Sequence, residues 1–227
     1  MTIKPTILIA GASRGIGLAL VGQFAKRGWR VLGTARNLAS GADISKAGGE
    51  VHLCDVTDPH SVARLGKSLA SESIDLLLCN AGIYGPRDGA VGNTDYAEWQ
   101  KVIDVNVFGP MRLVEALLEP VARSKRKTIA FTTSRMGSIA MNAGGSMIYR
   151  SSKTMLNSVA KNLSIDLAGK GVTVAVFHPG WVQTEMGGPG ATLTIPEATD
   201  AIATTLSGLT PKDNGKFFNY DGTDLPW

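Results

Sequence analysis

The chain has 227 residues, 44% of them apolar, which is enough to bury a core and excludes intrinsic disorder. A formal charge of +4, from 23 basic and 19 acidic residues, is too modest to mark a nucleic-acid binder. No apolar run approaches the ~18–20 residues of a membrane span, and the start Met1-Thr2-Ile3-Lys4-Pro5 has no leader pattern, so neither membrane insertion nor secretion is expected.

Thr6–Ala10 is a continuous apolar run, the pattern of a parallel strand covered on both faces. Gly15–Arg27 follows with helical periodicity, placing Ile16, Leu20 and Phe24 on one stripe, and Gly28 is its stop. Trp29–Thr34 reads as a second strand, Val51–Cys54 as a third and Ile74–Cys79 as a fourth. Thr128–Thr132, Val172–Phe177 and Lys216–Tyr220 complete a set of seven. Helices are predicted near Ser61–Leu69, Glu98–Leu118, Ser151–Leu167 and Pro196–Ser207. This alternation implies a parallel sheet with right-handed crossovers and helices on both faces. With no repeat or linker, one doubly wound α/β domain over residues 1–227 is expected.

The cluster Arg123-Ser124-Lys125-Arg126-Lys127 reads as a solvated helix–strand turn rather than a nucleic-acid patch. Cys54 and Cys79 end apolar runs and read as buried small hydrophobes. Two thiols alone do not build a zinc site, so no metal is expected, and the compartment reads as reducing and cytoplasmic.

Gly11-Ala12-Ser13-Arg14-Gly15-Ile16-Gly17 lies between the first strand and the first helix. Glycines there let the backbone turn tightly and approach a pyrophosphate, whose charge rests on the helix N-terminus. Alone, such a loop is equally a tight strand–helix turn. Further along, Asn80-Ala81-Gly82 closes the fourth strand and Asn106 sits in a helix within Val105-Asn106-Val107. Ser134 ends the fifth strand, Tyr149-Arg150-Ser151-Ser152-Lys153 opens the next helix, and Pro179-Gly180 follows the sixth strand. All but Asn106 fall at or near carboxyl ends of parallel strands, where open α/β sheets bind ligands.

In this order the motifs resemble those of the short-chain dehydrogenase/reductase superfamily, from Thr6 to about Tyr220. Pro179–Met186, the stretch Gly215–Gly222 and the ending Leu225-Pro226-Trp227 are similar to its small C-factor-like branch. The resemblance implies a Rossmann-type fold and a catalytic set of Asn106, Ser134, Tyr149 and Lys153. Tyr149 and Lys153, at i and i+4, share a helix face. A free phenol, pKa ~10, is a poor base near neutrality. A neighbouring ammonium and the positive nicotinamide of an oxidised cofactor favour phenolate, so Tyr149 can give a proton to a carbonyl or take one from an alcohol. Ser134 is preferred over Ser138 as the serine that orients the substrate oxygen, because it lies at the strand end. Asn106 matches the family asparagine whose helix distortion holds a water, linking Lys153 to solvent.

The end of the second strand, Thr34-Ala35-Arg36-Asn37, has no acid until Asp43. Arg36, flanked by Arg14, can meet a 2′-phosphate, so NADP(H) is the expected cofactor. By resemblance its site is Gly11, Ser13, Arg14, Gly15, Ile16, Gly17, Arg36, Asp55, Val56, Asn80, Ala81, Gly82, Tyr149, Lys153, Pro179, Gly180, Val182 and Thr184. The substrate side is Ser134, Met136, Tyr149, Trp181 and Met186, with Tyr84, Ile139 and Met147 alongside, an apolar set suited to a small carbonyl or alcohol. The glycine-rich stretch from Gly187 to Leu193 is expected to be a lid, and His178 a structural residue. The expected function is an NADP(H)-dependent carbonyl reductase or alcohol dehydrogenase; a non-catalytic dinucleotide-binding regulator is the alternative. The helices Glu98–Leu118 and Ser151–Leu167 form the subunit contact in relatives, so a homodimer or homotetramer is expected, and Val159, Leu163 and Leu167 make a stripe that serves either the core or that contact.

Overall fold

The computed structural model describes residues 4–87 and 91–227. In chain order it contains β1 (Thr6–Ala10), α1 (Gly15–Lys26), β2 (Arg30–Ala35), α2 (Leu38–Lys46), β3 (Glu50–Leu53), α3 (Pro59–Ser68) and β4 (Leu76–Cys79). Then come α4 (Tyr96–Ile103), a π-helical turn (Asp104–Phe108), α5 (Gly109–Arg123), β5 (Thr128–Thr132), α6 (Met147–Asp166), β6 (Thr173–His178), α7 (Ile195–Gly208) and β7 (Phe217–Asn219). The strands form one parallel sheet in the order β3-β2-β1-β4-β5-β6-β7. The order reverses between β1 and β4, the switch point at whose carboxyl edge a crevice opens.

Side chains alternate across the sheet, so adjacent residues of one strand feed opposite cores. Leu8, Leu77 and Phe131 pack with Leu65 of α3, Leu117 of α5 and Leu156 of α6. Ile7, Ile9 and Leu78 pack with Leu20 and Phe24 of α1, Ile44 of α2 and Ile202 of α7. Because both faces are covered, β1, β4 and β5 are buried at every position, which is why they read as unbroken apolar runs.

The structure departs from the sequence reading in particular places. α2 was not predicted: of its nine residues only Gly41 and Ile44 are buried, too few to make a stripe. It is started by Asn37, whose side chain accepts from the Ser40 N–H. β4 is shorter than predicted because the Ile74 N–H turns aside to the Pro120 carbonyl. The helix predicted over Glu98–Leu118 runs from Tyr96 to Arg123 and is interrupted by the π turn. α6 starts at Met147, so Tyr149 lies in its first turn. The basic cluster does join α5 to β5, but two of its arginines are more than solvated. Arg123 donates to the carbonyls of Ala70 and Glu72, and Arg126 donates to that of Ser207 while lying over the Trp29 ring. Cys54 and Cys79 are buried and unbonded to each other. Among the described residues no helix is long and apolar enough to cross a membrane.

Candidate active site

The glycine loop is built by packing that admits no side chains. Gly11 sits at φ +81°, and a Cβ there would lie 2.7 Å from the Cα of Ala81. A Cβ on Gly17 would lie 2.0 Å from the Gly11 carbonyl oxygen, so the loop, the first turn of α1 and the end of β4 close on one another. Polar contacts fix the same junction: the Gly11 N–H donates to Thr34 Oγ1 at 3.0 Å, and Asn80 Nδ2 donates to the Gly11 carbonyl at 3.0 Å. Thr132 Oγ1 in turn donates to Asn80 Oδ1 at 3.1 Å. α1 has no side-chain cap and no acid in its first turn, which suits its N–H groups to an anion. Ser13 belongs to this loop, and Ile16 packs partly against the sheet.

Around it lie the other candidates for a dinucleotide. Arg36 follows β2 and is exposed. Asp55 follows β3 and accepts from the Thr57 hydroxyl and N–H at 2.7 and 2.9 Å. The Thr57 hydroxyl bond does most to hold its carboxyl below the usual range, with Arg36 adding to it. Val56 is a buried packing residue: it meets Gly109, and its carbonyl accepts from Arg112 at 3.1 Å. After β6, Pro179 leads into Gly180 at φ +85°, where a Cβ would strike Leu193, and Val182 is buried. Thr184 lies across from Gly15, its Oγ1 accepting from the Gly187 N–H at 3.1 Å.

The stretch 181–193 forms the opposite lip and is tied across its base. Trp181 Nε1 donates to the Gly187 carbonyl at 2.8 Å, Gln183 Nε2 to Ala191 at 3.0 Å, and the Leu193 N–H to Trp181 at 3.0 Å. Arg14 reaches over to form an ion pair with Glu185 on this lip. Arg87 reaches the lip from the β4 side with a hydrogen bond, donating to the Met186 carbonyl at 2.6 Å. Trp181 and Met186 stay substantially exposed there.

The reactive groups meet at the carboxyl edge of β4 and β5. Tyr149 and Lys153 are both buried on α6. Lys153 Nζ donates to the Thr132 carbonyl at 2.9 Å and stands 5.8 Å from the Tyr149 ring centroid. Burial pushes the lysine down to about 8 from the usual 10.5. Burial also pushes the Tyr149 phenol up to about 12, opposed by a hydrogen bond with Ser134. Ser134, two residues past β5, accepts from the Met136 N–H at 3.1 Å. Ser138 faces elsewhere: its hydroxyl donates to the Trp227 carbonyl at 2.9 Å and accepts from the Met141 N–H.

Asn106 is fully buried inside the π turn, where the helical hydrogen-bond register slips by one residue. Its Oδ1 accepts from the Ile83 N–H and its Nδ2 donates to the Ile83 carbonyl, both at 2.9 Å, and also to Ser152 Oγ at 3.0 Å. It thus fastens the chain just past Gly82 to the residue preceding Lys153. A Cβ on Gly82 would lie 3.4 Å from Lys153 Nζ. Tyr84 stacks on Tyr149 with ring centroids 4.3 Å apart, and its hydroxyl is 2.9 Å from Ser146 Oγ and 3.9 Å from the Met136 sulfur. Arg87 lies 4.5 Å over the Tyr84 ring. Ile139 and Met147 are exposed. Among the described residues the Nδ1 atom of His178 is buried without a partner, and burial, then Arg135, pushes the imidazole down to about 4.

The sequence reading passed over Thr132, Arg87 and Glu185. The first meets Lys153 through its backbone carbonyl and Asn80 through its hydroxyl, both far away in sequence. The other two meet partners distant in sequence, Glu185 being 171 residues from Arg14.

Comparison with known proteins follows the same lines. The family model described as short chain dehydrogenase matches residues 5–191. The C-signal protein of Myxococcus xanthus is 41% identical over 155 residues, 68% of this chain and 93% of that protein. Among solved structures, the carbonyl reductase Sniffer of D. melanogaster is 31% identical with a TM-score of 0.92, over 99% of this chain and all of that one. A carbonyl reductase from Pseudomonas aeruginosa PAO1 in complex with NADP is 32% identical with a TM-score of 0.84, again over 99% of this chain and all of its own. The chain belongs to the short chain dehydrogenase family and is an oxidoreductase of its C-factor-like branch.

Proposed function

We propose that the protein is an NADP(H)-dependent carbonyl reductase or alcohol dehydrogenase for a small apolar substrate, with Tyr149 as proton donor and acceptor. The observation that carries this reading is the convergence of three groups beside the glycine loop: the Tyr149 phenol, its Ser134 partner, and the Lys153 ammonium on the same helix. Presence of all three argues against a purely regulatory dinucleotide binder. The seven-stranded sheet supports cofactor binding and catalysis by one unit spanning the chain.

The loop fits a dinucleotide, since Gly11 and Gly17 let the backbone close up at the start of α1, whose N-terminus is uncapped and carries no acid in its first turn. When bound, the reduced nicotinamide supplies a hydride to the carbonyl carbon. Ser134 then holds the carbonyl oxygen and Tyr149 gives it a proton. Lys153 steadies the negative charge on the tyrosine, returns a proton to it and is itself reprotonated from solvent past the π turn at Asn106. Arg36 and Arg14 would hold the 2′-phosphate. The Pseudomonas aeruginosa relative in complex with NADP supports this choice. Arg36→Ala is expected to weaken NADPH binding about 10–100-fold while leaving NADH binding within about twofold, as befits loss of one charge-assisted contact. Equilibrium titration of both cofactors checks it, and equal losses for the two would reject the 2′-phosphate role.

Direction sets the pH dependence. A phenol held near 12 is protonated at neutral pH, so it is ready as an acid for reduction and must lose a proton for oxidation. Alcohol oxidation is therefore expected to rise with pH below the phenol's pKa, whereas reduction is flat until Lys153 loses its proton near 8 and falls above it. Initial rates in both directions from pH 6 to 10 measure this, a range of about two units either side of Lys153.

We further propose a homodimer or homotetramer in the cytoplasm. Support for assembly is an apolar groove of about 320 Å³ between α5 and α6, lined by Val107, Phe108, Met111, Met155, Val159 and Leu163. A light-scattering mass of at least two chains is expected, and a single-chain mass at working concentration would reject it.

A further inference from the structure

We infer that Leu225-Pro226-Trp227 is a positioning element for the substrate side of the site, acting through the loop between β5 and α6; the inference rests on the reductase reading above. That loop borders the Tyr84–Tyr149 stack at both ends. Near its start Met136 contacts the Tyr84 hydroxyl, and at its end Ser146 Oγ lies 2.9 Å from the same hydroxyl. Each end has its own anchor on α6. Gly137 is pressed against the Lys153 backbone, where a Cβ would come to 2.8 Å, and its carbonyl accepts from Asn157 Nδ2. Arg150 Nε donates to the carbonyls of Gly144 and Gly145.

The middle of the loop is held by one atom from the other end of the chain. The Trp227 carbonyl accepts from the Ser138 hydroxyl at 2.9 Å and from the Ala140 N–H at 3.1 Å. Ser138 is only 1% exposed, so its hydroxyl would be costly to leave unpaired. Trp227 is itself fastened to β7: its ring centroid lies 5.5 Å from that of Phe217, and the Leu225 N–H donates to the Phe217 carbonyl at 2.8 Å. Lys161 Nζ stands 5.6 Å over the indole. Between the tethered atoms the loop displays Ile139, 72% exposed, and Met141, 40% exposed. Large apolar side chains so exposed, on a loop whose two ends touch the Tyr84 hydroxyl, form a rim for the apolar part of a substrate. Trp227 sets where that rim stands, while Tyr149 and Lys153 are held in α6 and Ser134, at the start of the loop, is fixed by the Thr133 N–H on the Phe177 carbonyl at 2.9 Å and by the Gly137 N–H on its own carbonyl at 2.8 Å.

The test uses the whole protein, a variant lacking Trp227, Trp227→Phe and Ser138→Ala. Amide hydrogen exchange across residues 135–146, the NADPH dissociation constant, and kcat and KM for one small aliphatic aldehyde and one bulky apolar ketone are measured. Removal of Trp227 is expected to speed exchange at 138–141 about tenfold and to raise KM for the bulky ketone about tenfold, from two lost hydrogen bonds. kcat, NADPH affinity and KM for the small aldehyde stay within about twofold, since no group that bonds the carbonyl oxygen or the cofactor has moved. Trp227→Phe restores wild-type behaviour because a ring still packs on Phe217, and Ser138→Ala shows a smaller effect of the same kind. Unchanged exchange, or faster exchange with an unchanged KM for the ketone, overturns the inference. So does an equal fall in kcat with both carbonyls, which would mark a merely structural role. A wild-type protein that binds NADPH yet reduces neither carbonyl instead overturns the reductase reading, and the exchange measurement then decides the tether separately.

Discussion

Tyr149→Phe is expected to lower carbonyl reduction by about 10²–10⁴-fold, the usual contribution of a positioned proton donor. The variant removes one oxygen from a ring that stays buried and stacked on Tyr84, so the fold and the glycine cradle should be untouched. NADPH affinity should stay within about twofold, because binding energy toward the phosphates comes from other residues. The loss should therefore fall on kcat. Stopped-flow rates in single turnover, with NADPH titration in parallel, separate the two quantities. Equal turnover in the variant would move the proton donor elsewhere in the site.

Lys153→Met is expected to damage binding and chemistry together. The ammonium is the buried cation nearest the phenol, and a methionine of similar length fills its space without its charge. Loss of hydrogen bonds from a charged donor should weaken NADPH binding roughly 10–100-fold, and turnover should fall further as the phenolate loses its neighbour. The same substitution has a stability signature. Native Lys153 titrates near 8 and the unfolded lysine near 10.5, so the cost of burying the charge is present in full below pH 8. Between those two values the unfolded chain holds more protons, and native stability rises with pH. Wild type should therefore gain stability relative to Lys153→Met from about pH 8 to 10.5, as urea unfolding at several pH values would measure. A constant difference across that window would mean that the native amine is not desolvated.

Much of the fold was legible because its strongest signals are local. β1 and β5 are bounded as read, since a strand buried on both faces is a short, mostly apolar run rich in β-branched residues. The glycine loop was equally plain, because close approach of backbone to backbone leaves no choice of residue at Gly11 or Gly17. α2 escaped notice because two buried residues make no stripe. The π turn at Asn106 escaped as a shape because its cause is tertiary: the side chain bonds Ile83 and Ser152 on two other segments.

The candidate site divides in the same way. Tyr149 and Lys153 announce themselves by spacing on one helix, and Asn80-Ala81-Gly82 by its place at the end of β4. Contacts made through backbone atoms across long stretches leave no such mark. Trp227 reaches Ser138 across 89 residues with a carbonyl that every residue type possesses. Arg14 carries a partner, Glu185, that only the folded lip brings near.

The most direct measurement is oxidation of NADPH and of NADH, followed side by side with a panel of aldehydes, ketones and diones. The expected result is turnover with NADPH on at least one apolar carbonyl, much slower turnover with NADH, and loss of both in Tyr149→Phe. Tight NADPH binding with no turnover on any carbonyl, or turnover that survives Tyr149→Phe, would contradict it.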